Sequence, residues 1–77
     1  MAGRKEVRRM ETSARNQLKG TVESVSLGEV MAEVVLDVGG AKVVAAITRE
    51  SAERLGLAAG KAATAIIKAT DVMIGVA

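Results

Sequence analysis

The densest run of hydrogen-bonding side chains in the sequence extends from Thr12 to Gly20. It contains two hydroxyls, two carboxamides, the guanidinium of Arg15 and the ammonium of Lys19, and no carboxylate. Such a set of donors suits a small oxyanion, because arginine offers a planar fork of N–H groups and serine and threonine add hydroxyls. The alternative is a solvated polar entry to a first strand, which a single arginine in a polar run does not exclude.

Further cationic and hydroxyl side chains occur far along the chain, at Thr48 and in the segment from Lys68 to Thr70. Thr48 precedes a pattern typical of a short helix, where a threonine caps the helix by accepting a hydrogen bond from a backbone N–H. The free N–H groups at a helix start also favour an anion. Taken singly, Lys68 is better explained as a solvated lysine at a strand end, and Thr48 as a plain helix cap.

Alternation of apolar and polar side chains predicts the strands that must position these groups. The clearest period-two run is Val30 to Val38, and the glycine pair that follows it predicts a tight hairpin because both glycines can take positive φ. The other strands are predicted at Ser13 to Ser26, Lys42 to Thr48, Ala63 to Lys68, and Val72 to Val76.

A short helix is predicted from Arg49 to Leu55, between the third and fourth strands. Glu50 lies in its first turn, Glu50 and Arg54 form an i,i+4 pair in the favourable order, and Gly56 is a suitable stop. Five short strands with one helix in this place predict an all-β fold, a small five-stranded OB-like barrel.

The composition excludes several classes of function. A chain of 77 residues allows one domain. The sequence has no cysteine, no histidine and no aromatic residue, so it lacks disulfides, the commonest metal ligands and most nucleophile–base pairs. We therefore expect a binding protein rather than an enzyme, with no metal ion held directly by side chains. Because so small a domain is marginal alone and 49% of its residues are hydrophobic, we also expect a homo-oligomer.

The charge distribution separates a basic arm from a neutral domain. Residues 1–12 carry four basic and two acidic side chains, whereas residues 13–77 carry seven of each. A neutral domain without aromatic residues lacks the basic footprint and the stacking platform of a nucleic-acid surface. An OB-like nucleic-acid-binding module is therefore the second choice of function. We expect residues 1–12 to be a mobile arm, ahead of the alternative of a docking tail for an acidic partner or nucleic acid.

The sequence offers no membrane or export signal. No stretch approaches the roughly 20 apolar residues of a membrane span, and no apolar segment of a signal peptide follows the charged N-terminus. We expect a cytoplasmic protein without a membrane partner.

Several motifs, in order along the chain, resemble the molybdate-binding Mop domain of molbindins and molybdate-dependent transcriptional regulators. These motifs are Ser13-Ala14-Arg15-Asn16-Gln17-Leu18-Lys19-Gly20, Ala46-Ile47-Thr48, Ser51, Arg54-Leu55-Gly56-Leu57, Gly60-Lys61, Ile67-Lys68-Ala69 and Val72-Met73-Ile74. The resemblance covers essentially the whole chain after the first dozen residues, and residues 13–77 are expected to form one Mop domain.

The resemblance implies a closed barrel of OB type, assembled as a hexamer from three dimers that share strands. It implies an intracellular protein for molybdenum storage or homeostasis that binds molybdate, or tungstate, at interfaces between chains. The residues that match the family's oxyanion site are Ser13, Ala14, Arg15, Asn16, Thr48, Lys68, Ala69 and Thr70.

One turn departs from the family pattern. Leu27 and Met31 stand where relatives often have lysine and asparagine, in a loop linked to a second kind of oxyanion site on the threefold axis. Since leucine and methionine offer no hydrogen-bond donors, such a site would depend on backbone N–H groups alone.

Overall fold

The structure, a computed structural model, describes residues 11–77 as one antiparallel sheet of four strands in the order β3-β2-β1-β4. The strands are β1 (Asn16–Leu27), β2 (Met31–Val38), β3 (Ala41–Thr48) and β4 (Ala62–Ile67). Helix α1 (Arg49–Arg54) lies between β3 and β4, and a 3₁₀ helix (Ala69–Asp71) follows β4. The prediction of a mobile arm at residues 1–12 falls, apart from its last two residues, outside the described part of the chain.

The long strand β1 organises the sheet, because its first half pairs with β4 and its second half with β2. Thr21 pairs with both neighbours, and a register shift between Val22 and Ser24 marks a bulge. Gly20 lies just before this bulge, where a Cβ atom would stand 2.4 Å from the carbonyl oxygen of Asp37. The missing side chain therefore lets β1 approach the end of β2 and bend there.

The core is small and lies between β1 and β2. Val22, Val34 and Leu36 are buried, and seven partly buried hydrophobic residues pack around them. The predicted alternation is confirmed within β2, since Ala32, Val34 and Leu36 are buried while Met31 and Glu33 are exposed. Val30, which was predicted on the buried face, precedes the strand and is 71% exposed. The inward side chains of β3 are only half-buried, because this edge strand pairs on one side only.

The local signals at the hairpin and at the helix start are confirmed. Gly39 and Gly40 have φ values of 69° and 94°, and the N–H of Gly40 donates to Asp37 Oδ1 at 2.8 Å. Thr48 caps α1 by accepting a hydrogen bond from the N–H of Ser51 at 3.1 Å.

Two details of the predicted helix are wrong. The helix ends at Arg54 rather than Leu55. Its i,i+4 ion pair joins Arg49 to Glu53 at 3.0 Å, and among residues 11–77 the predicted pair of Glu50 and Arg54 does not form. The pair with Arg49 is favoured because its guanidinium also donates to the carbonyl oxygen of Gly28, at 3.3 Å, which fixes the side chain near Glu53.

Several predicted strand boundaries also shift, and two of these shifts touch the predicted site residues. β1 begins at Asn16 rather than Ser13, because the chain bends there and the N–H of Ala14 donates to the Thr12 hydroxyl at 3.2 Å. β4 ends at Ile67 rather than Lys68, because Lys68 is the N-cap of the 3₁₀ helix that begins at Ala69.

The predicted fifth strand, Val72 to Val76, is wrong for the single chain. The segment has no regular structure, and the N–H of Val72 donates back to the carbonyl oxygen of Ala69 at 3.3 Å. Met73, Ile74 and Val76 are 92%, 87% and 93% exposed. A strand requires a paired edge, and this segment pairs with none in its own chain, so the sheet has four strands and stays open between β3 and β4. Neither helix in the described part of the chain has the length and apolarity to cross a membrane.

Candidate functional site

The start of β1 and the end of β4 bring most of the predicted site residues together. Asn16 and Ile67 are the last pair of the β1–β4 ladder, and Asn16 Nδ2 donates to the carbonyl oxygen of Ile67 at 3.2 Å. Arg15 and Lys68 each lie one residue beyond this pair. Two cations more than fifty residues apart in sequence are therefore neighbours at one end of the sheet.

A buried alanine anchors the segment that leads into β1. Ala14 is 7% exposed, and its carbonyl oxygen accepts a hydrogen bond from Gln17 Nε2 at 3.4 Å. Ser13 and Arg15, on either side of it, are exposed. The hydroxyl and the guanidinium are thus presented to solvent from a backbone that Ala14 holds in place.

The other half of this cluster lies at the 3₁₀ helix. Lys68 precedes it without a side-chain cap, and its carbonyl oxygen accepts a hydrogen bond from the N–H of Asp71 at 2.9 Å. Lys68, Ala69 and Thr70 are all exposed. We call Ser13 to Asn16 together with Lys68 to Thr70 the cationic end of the sheet.

Thr48 does not belong to the cationic end of its own chain. It pairs with Met31 at the opposite end of β2, and Met31 lies near the position where β1 finishes at Leu27. β1 has 12 residues, so Asn16 and Leu27 are separated by on the order of 35 Å along the strand. The register therefore places Thr48 and the cationic end near opposite ends of β1.

A second hydroxyl, which the sequence did not single out as a site residue, lies beside Thr48. Thr48 Oγ1 and Ser51 Oγ are hydrogen-bonded at 2.8 Å. One hydroxyl hydrogen is used within the pair, so the other remains for an external acceptor. Ser51 does not complete a capping box, which has glutamate or glutamine at this position, so that motif could not have identified it.

The two cations of the cationic end lack, within residues 11–77, the internal partners that hold Lys42 and Lys61. Lys42 pairs with Glu23 and Asp37, and the hydrogen bond to Glu23 is the main cause that raises the pKa of Lys42. Lys61 Nζ donates to the carbonyl oxygen of Leu55, at the end of α1, at 2.7 Å. Within residues 11–77, neither Arg15 nor Lys68 forms an ion pair. Their charge therefore remains available to an anion.

The turn between β1 and β2 is a poor anion site. Leu27 and Met31 are 48% and 47% exposed and offer no donor. The N–H of Gly28 is already bonded to the carbonyl oxygen of Met31, at 2.7 Å. The guanidinium of Arg49 is occupied by Glu53 and by Gly28. The departure noted in the sequence is therefore matched by a turn whose side chains offer no donor and in which the N–H of Gly28 is already bonded.

The described residues do not form a metal site from side chains. Within the described residues, no three His, Cys, Asp or Glu side chains come together in a group that could hold a metal ion. What the arrangement offers is a set of N–H and O–H donors with two positive charges, which is the chemistry of anion binding.

Comparisons with known proteins define the class to which this fold and these residues belong. The sequence matches the TOBE domain over residues 12–74. It is 56% identical over 66 residues to molybdenum-pterin-binding protein 3 of Clostridium pasteurianum, a match that covers 84% of this chain and 97% of the relative. The chain belongs to the TOBE domain family and, within it, to the Mop proteins that its motifs resemble.

Solved structures agree with this assignment. The fold is similar to that of a molybdate-binding protein from Sporomusa ovata, with a TM-score of 0.81 and 43% identity, over 84% of this chain and 97% of that one. It is also similar to ModG, a cytoplasmic molybdate-binding protein with molybdate bound, with a TM-score of 0.75 and 51% identity. That match covers 78% of this chain and 43% of ModG. The small all-β, OB-like fold predicted from the sequence is confirmed.

Proposed function

We propose that this protein binds molybdate and serves the storage or homeostasis of molybdenum in the cytoplasm. The observation that carries the proposal is the cationic end of the sheet, where the register makes Arg15 and Lys68 neighbours. Support also comes from the Mop relatives, which include molybdate-binding proteins and the cytoplasmic ModG. The function is binding rather than catalysis, because the sequence lacks histidine and cysteine.

The chemistry of the cationic end suits a tetrahedral dianion. Two positive charges offset the free-energy cost of removing molybdate from water, and charge-assisted hydrogen bonds replace its hydration. Arg15 supplies a planar fork of donors, Lys68 a point charge, and the hydroxyls of Ser13 and Thr70 further donors. The backbone N–H groups of Arg15 and Ala69 complete the proposed donor set. Tungstate has the same shape and charge and is expected to bind as well.

The site is proposed to lie between chains of a homo-oligomer. Thr48 and Ser51 lie near the Leu27 end of β1, a strand length away from the cationic end of the same chain. A complete site therefore takes these two hydroxyls from a neighbouring chain. The resemblance to the Mop family favours a hexamer made of three dimers. In a twofold dimer the same contact occurs twice, so that each chain completes the site of the other.

Titration calorimetry tests the proposed ligand. Molybdate and tungstate should bind with similar affinity, and sulfate at the same ionic strength should bind more weakly. A gel-shift assay with nucleic acid under the same conditions separates this function from an OB-like nucleic-acid-binding module. Metal analysis of the protein purified from its native cytoplasm should find molybdenum, and its absence together with a positive gel shift would overturn the proposal.

Mixing two defective variants tests the position of the site between chains. One variant carries Arg15→Ala, and the other carries Thr48→Val with Ser51→Ala. If each site uses Arg15 of one chain and Thr48 of another, a mixed dimer contains one site with both defects and one intact site. Mixing the unfolded chains and refolding them together should therefore restore wild-type affinity in part of the sites. No restoration, with mixed oligomers verified by native mass spectrometry, would place each site within a single chain.

A further inference from the structure

Arg49, the first residue of α1, holds the start of this helix against the turn between β1 and β2. Its backbone N–H donates to the carbonyl oxygen of Val30 at 2.7 Å. Its side-chain Nη1 donates to the carbonyl oxygen of Gly28 at 3.3 Å, and its Nε donates to Glu53 Oε2 at 3.0 Å, one helical turn further along α1. A single residue therefore joins the helix to the turn by backbone and side chain together.

The carbonyl group that accepts from Arg49 belongs to a well-held part of the turn. The N–H of Gly28 donates to the carbonyl oxygen of Met31 at 2.7 Å, so both backbone polar groups of Gly28 are hydrogen-bonded. A Cβ atom at Gly28 would stand 3.0 Å from that same oxygen of Met31, which leaves little room for a side chain. The guanidinium is thus anchored to a backbone whose own position is fixed.

The hydroxyls of Thr48 and Ser51 depend on the same start of the helix. Thr48 immediately precedes Arg49, and its Oγ1 accepts from the N–H of Ser51 at 3.1 Å and is bonded to Ser51 Oγ at 2.8 Å. A helix of six residues does not hold its shape by itself, so contacts with the rest of the fold must fix its first turn. Because hydrogen bonds are directional, a rotation of this turn changes where the free hydroxyl hydrogen points.

We propose that Arg49 is a positioning residue for the oxyanion site, an inference that rests on the proposed function. Arg49 orients the hydroxyls of Thr48 and Ser51 toward the cationic end of the neighbouring chain. Its Nε and Nη1 are engaged within its own chain, so the guanidinium acts through the helix rather than as a ligand of the anion. Arginine suits this role because its planar fork reaches two acceptors in different elements at once.

The ion pair of Arg49 with Glu53 is a weak source of stability. The two side chains are 43% and 56% exposed, and exposed pairs of this kind contribute little to the free energy of unfolding. Loss of the Arg49 side chain should therefore lower the melting temperature by less than about 5 °C. A clear loss of anion affinity beside so small a change in stability distinguishes positioning from a purely structural role.

Charge is the competing explanation for an effect of Arg49 on the site. Glu29, Glu50 and Glu53 line the groove that also contains Thr48 and Arg49, and their carboxylates repel an approaching dianion. Arg49→Lys separates the two effects, because lysine keeps the positive charge but has no planar fork with which to hold Glu53 and the turn together.

Titration calorimetry with molybdate measures the effect. Arg49→Gln should weaken binding by about three- to tenfold, the range of one hydrogen bond. Arg49→Lys should lose affinity to within about twofold of the same extent. Arg54→Gln removes an equal charge from the last turn of α1 and should stay within about twofold of the wild type. Wild-type affinity in Arg49→Gln, full affinity in Arg49→Lys, or an equal loss in Arg54→Gln would overturn the positioning role.

A double-mutant cycle shows whether Arg49 acts through the two hydroxyls. A chain with Thr48→Val and Ser51→Ala has no hydroxyl left to orient, so adding Arg49→Gln should change its remaining molybdate affinity by less than about twofold. An equal loss in this background and in the wild type would mean that Arg49 acts by another route, and would overturn the proposal.

Amide hydrogen exchange gives a readout that needs no anion. The N–H of Ser51 donates to Thr48 Oγ1, so its exchange rate reports whether the first turn of α1 keeps its geometry. Exchange at Ser51 should be faster in Arg49→Gln than in the wild type and unchanged in Arg54→Gln. Unchanged exchange in Arg49→Gln would contradict the positioning role.

The outcomes separate this inference from the proposed function. Wild-type protein that binds molybdate and loses affinity in Lys68→Ala, but not in Arg49→Gln, would keep the proposed function and remove only the role of Arg49. A wild-type protein that does not bind molybdate in calorimetry would remove the proposed function and the role of Arg49 with it.

Discussion

Asn16 and Ile67 close the β1–β4 ladder with a main-chain pairing and with a side-chain hydrogen bond of 3.2 Å from Asn16 Nδ2 to the carbonyl oxygen of Ile67. This doubly held pair fixes how the two strands end. Arg15 and Lys68 follow immediately, so their positions depend on a contact across the sheet rather than on flexible loops. Asn16 therefore has a positioning role in the proposed site, because its amide is used internally.

Removal of either cation should weaken molybdate binding. We expect Arg15→Ala and Lys68→Ala each to cost about 1.5–3 kcal/mol, as for a hydrogen bond to a charged group, and Thr48→Val to cost about 1 kcal/mol. Titration calorimetry measures the affinities, and Arg54→Ala, an exposed cation at the end of α1, is the matched control. Wild-type affinity in both Arg15→Ala and Lys68→Ala would remove these residues from the site.

The N-terminal arm should be dispensable for assembly and binding. Deletion of residues 1–11 should leave the oligomeric state unchanged and the molybdate affinity within about threefold, because the arm has too few apolar residues to add buried area. The match to the TOBE domain also begins only at residue 12. Native mass spectrometry and calorimetry on the truncated chain check both quantities. A monomeric or non-binding truncation would show that the arm is structural.

The sequence predicted the elements that depend on neighbouring residues. The Gly39-Gly40 hairpin, the cap at Thr48 and the alternation in β2 are local patterns, and each was confirmed. Val72 to Val76 carries an equally clear alternation but is not a strand in the single chain, because a strand exists only where an edge is available to pair. Local pattern therefore identified the segment correctly as apolar and alternating, without revealing that no strand of the sheet in residues 11–77 pairs with it.

The candidate site was harder to predict from the sequence, because its geometry also depends on which strands pair. Only the register of β1 with β4 makes Arg15 and Lys68 neighbours, and only the register of β2 with β3 places Thr48 near the opposite end of β1. Neither the proximity of Arg15 and Lys68 nor the position of Thr48 can be inferred from spacing along the chain. The resemblance to the Mop family supplied the residues, and the sheet topology separates them into two groups.

Gly20 should tolerate no side chain. A Cβ atom there would stand 2.4 Å from the carbonyl oxygen of Asp37 and 2.7 Å from Val38 Cγ1. We expect Gly20→Ala to destabilise the fold by about 1–3 kcal/mol, the usual range for an overpacked core. Chemical denaturation measures the change. Gly75→Ala is the control, since no atom lies within 4 Å of a Cβ built there. Equal stability of the two variants would mean that β1 and β2 do not approach at Gly20.

The number of molybdate ions per oligomer should equal the number of chains. Each chain supplies one cationic end and one pair of hydroxyls at Thr48 and Ser51, so composite sites between chains equal the chains in number. The turn from Leu27 to Met31 adds no further site, because its side chains lack donors and the N–H of Gly28 is already bonded. Calorimetry at protein concentrations well above the dissociation constant should therefore give a stoichiometry of about one.

Lys68→Ala provides the sharper form of this test. If the cationic end holds all of the bound anion, the variant should lose affinity in a single uniform step. A second site at the turn would instead leave a fraction of the binding with unchanged affinity, since the register places Leu27 near the opposite end of β1 from Asn16, the residue paired beside Lys68. Residual wild-type affinity in Lys68→Ala, or a stoichiometry clearly above one in the wild type, would show that the turn binds an oxyanion through its backbone despite its apolar side chains.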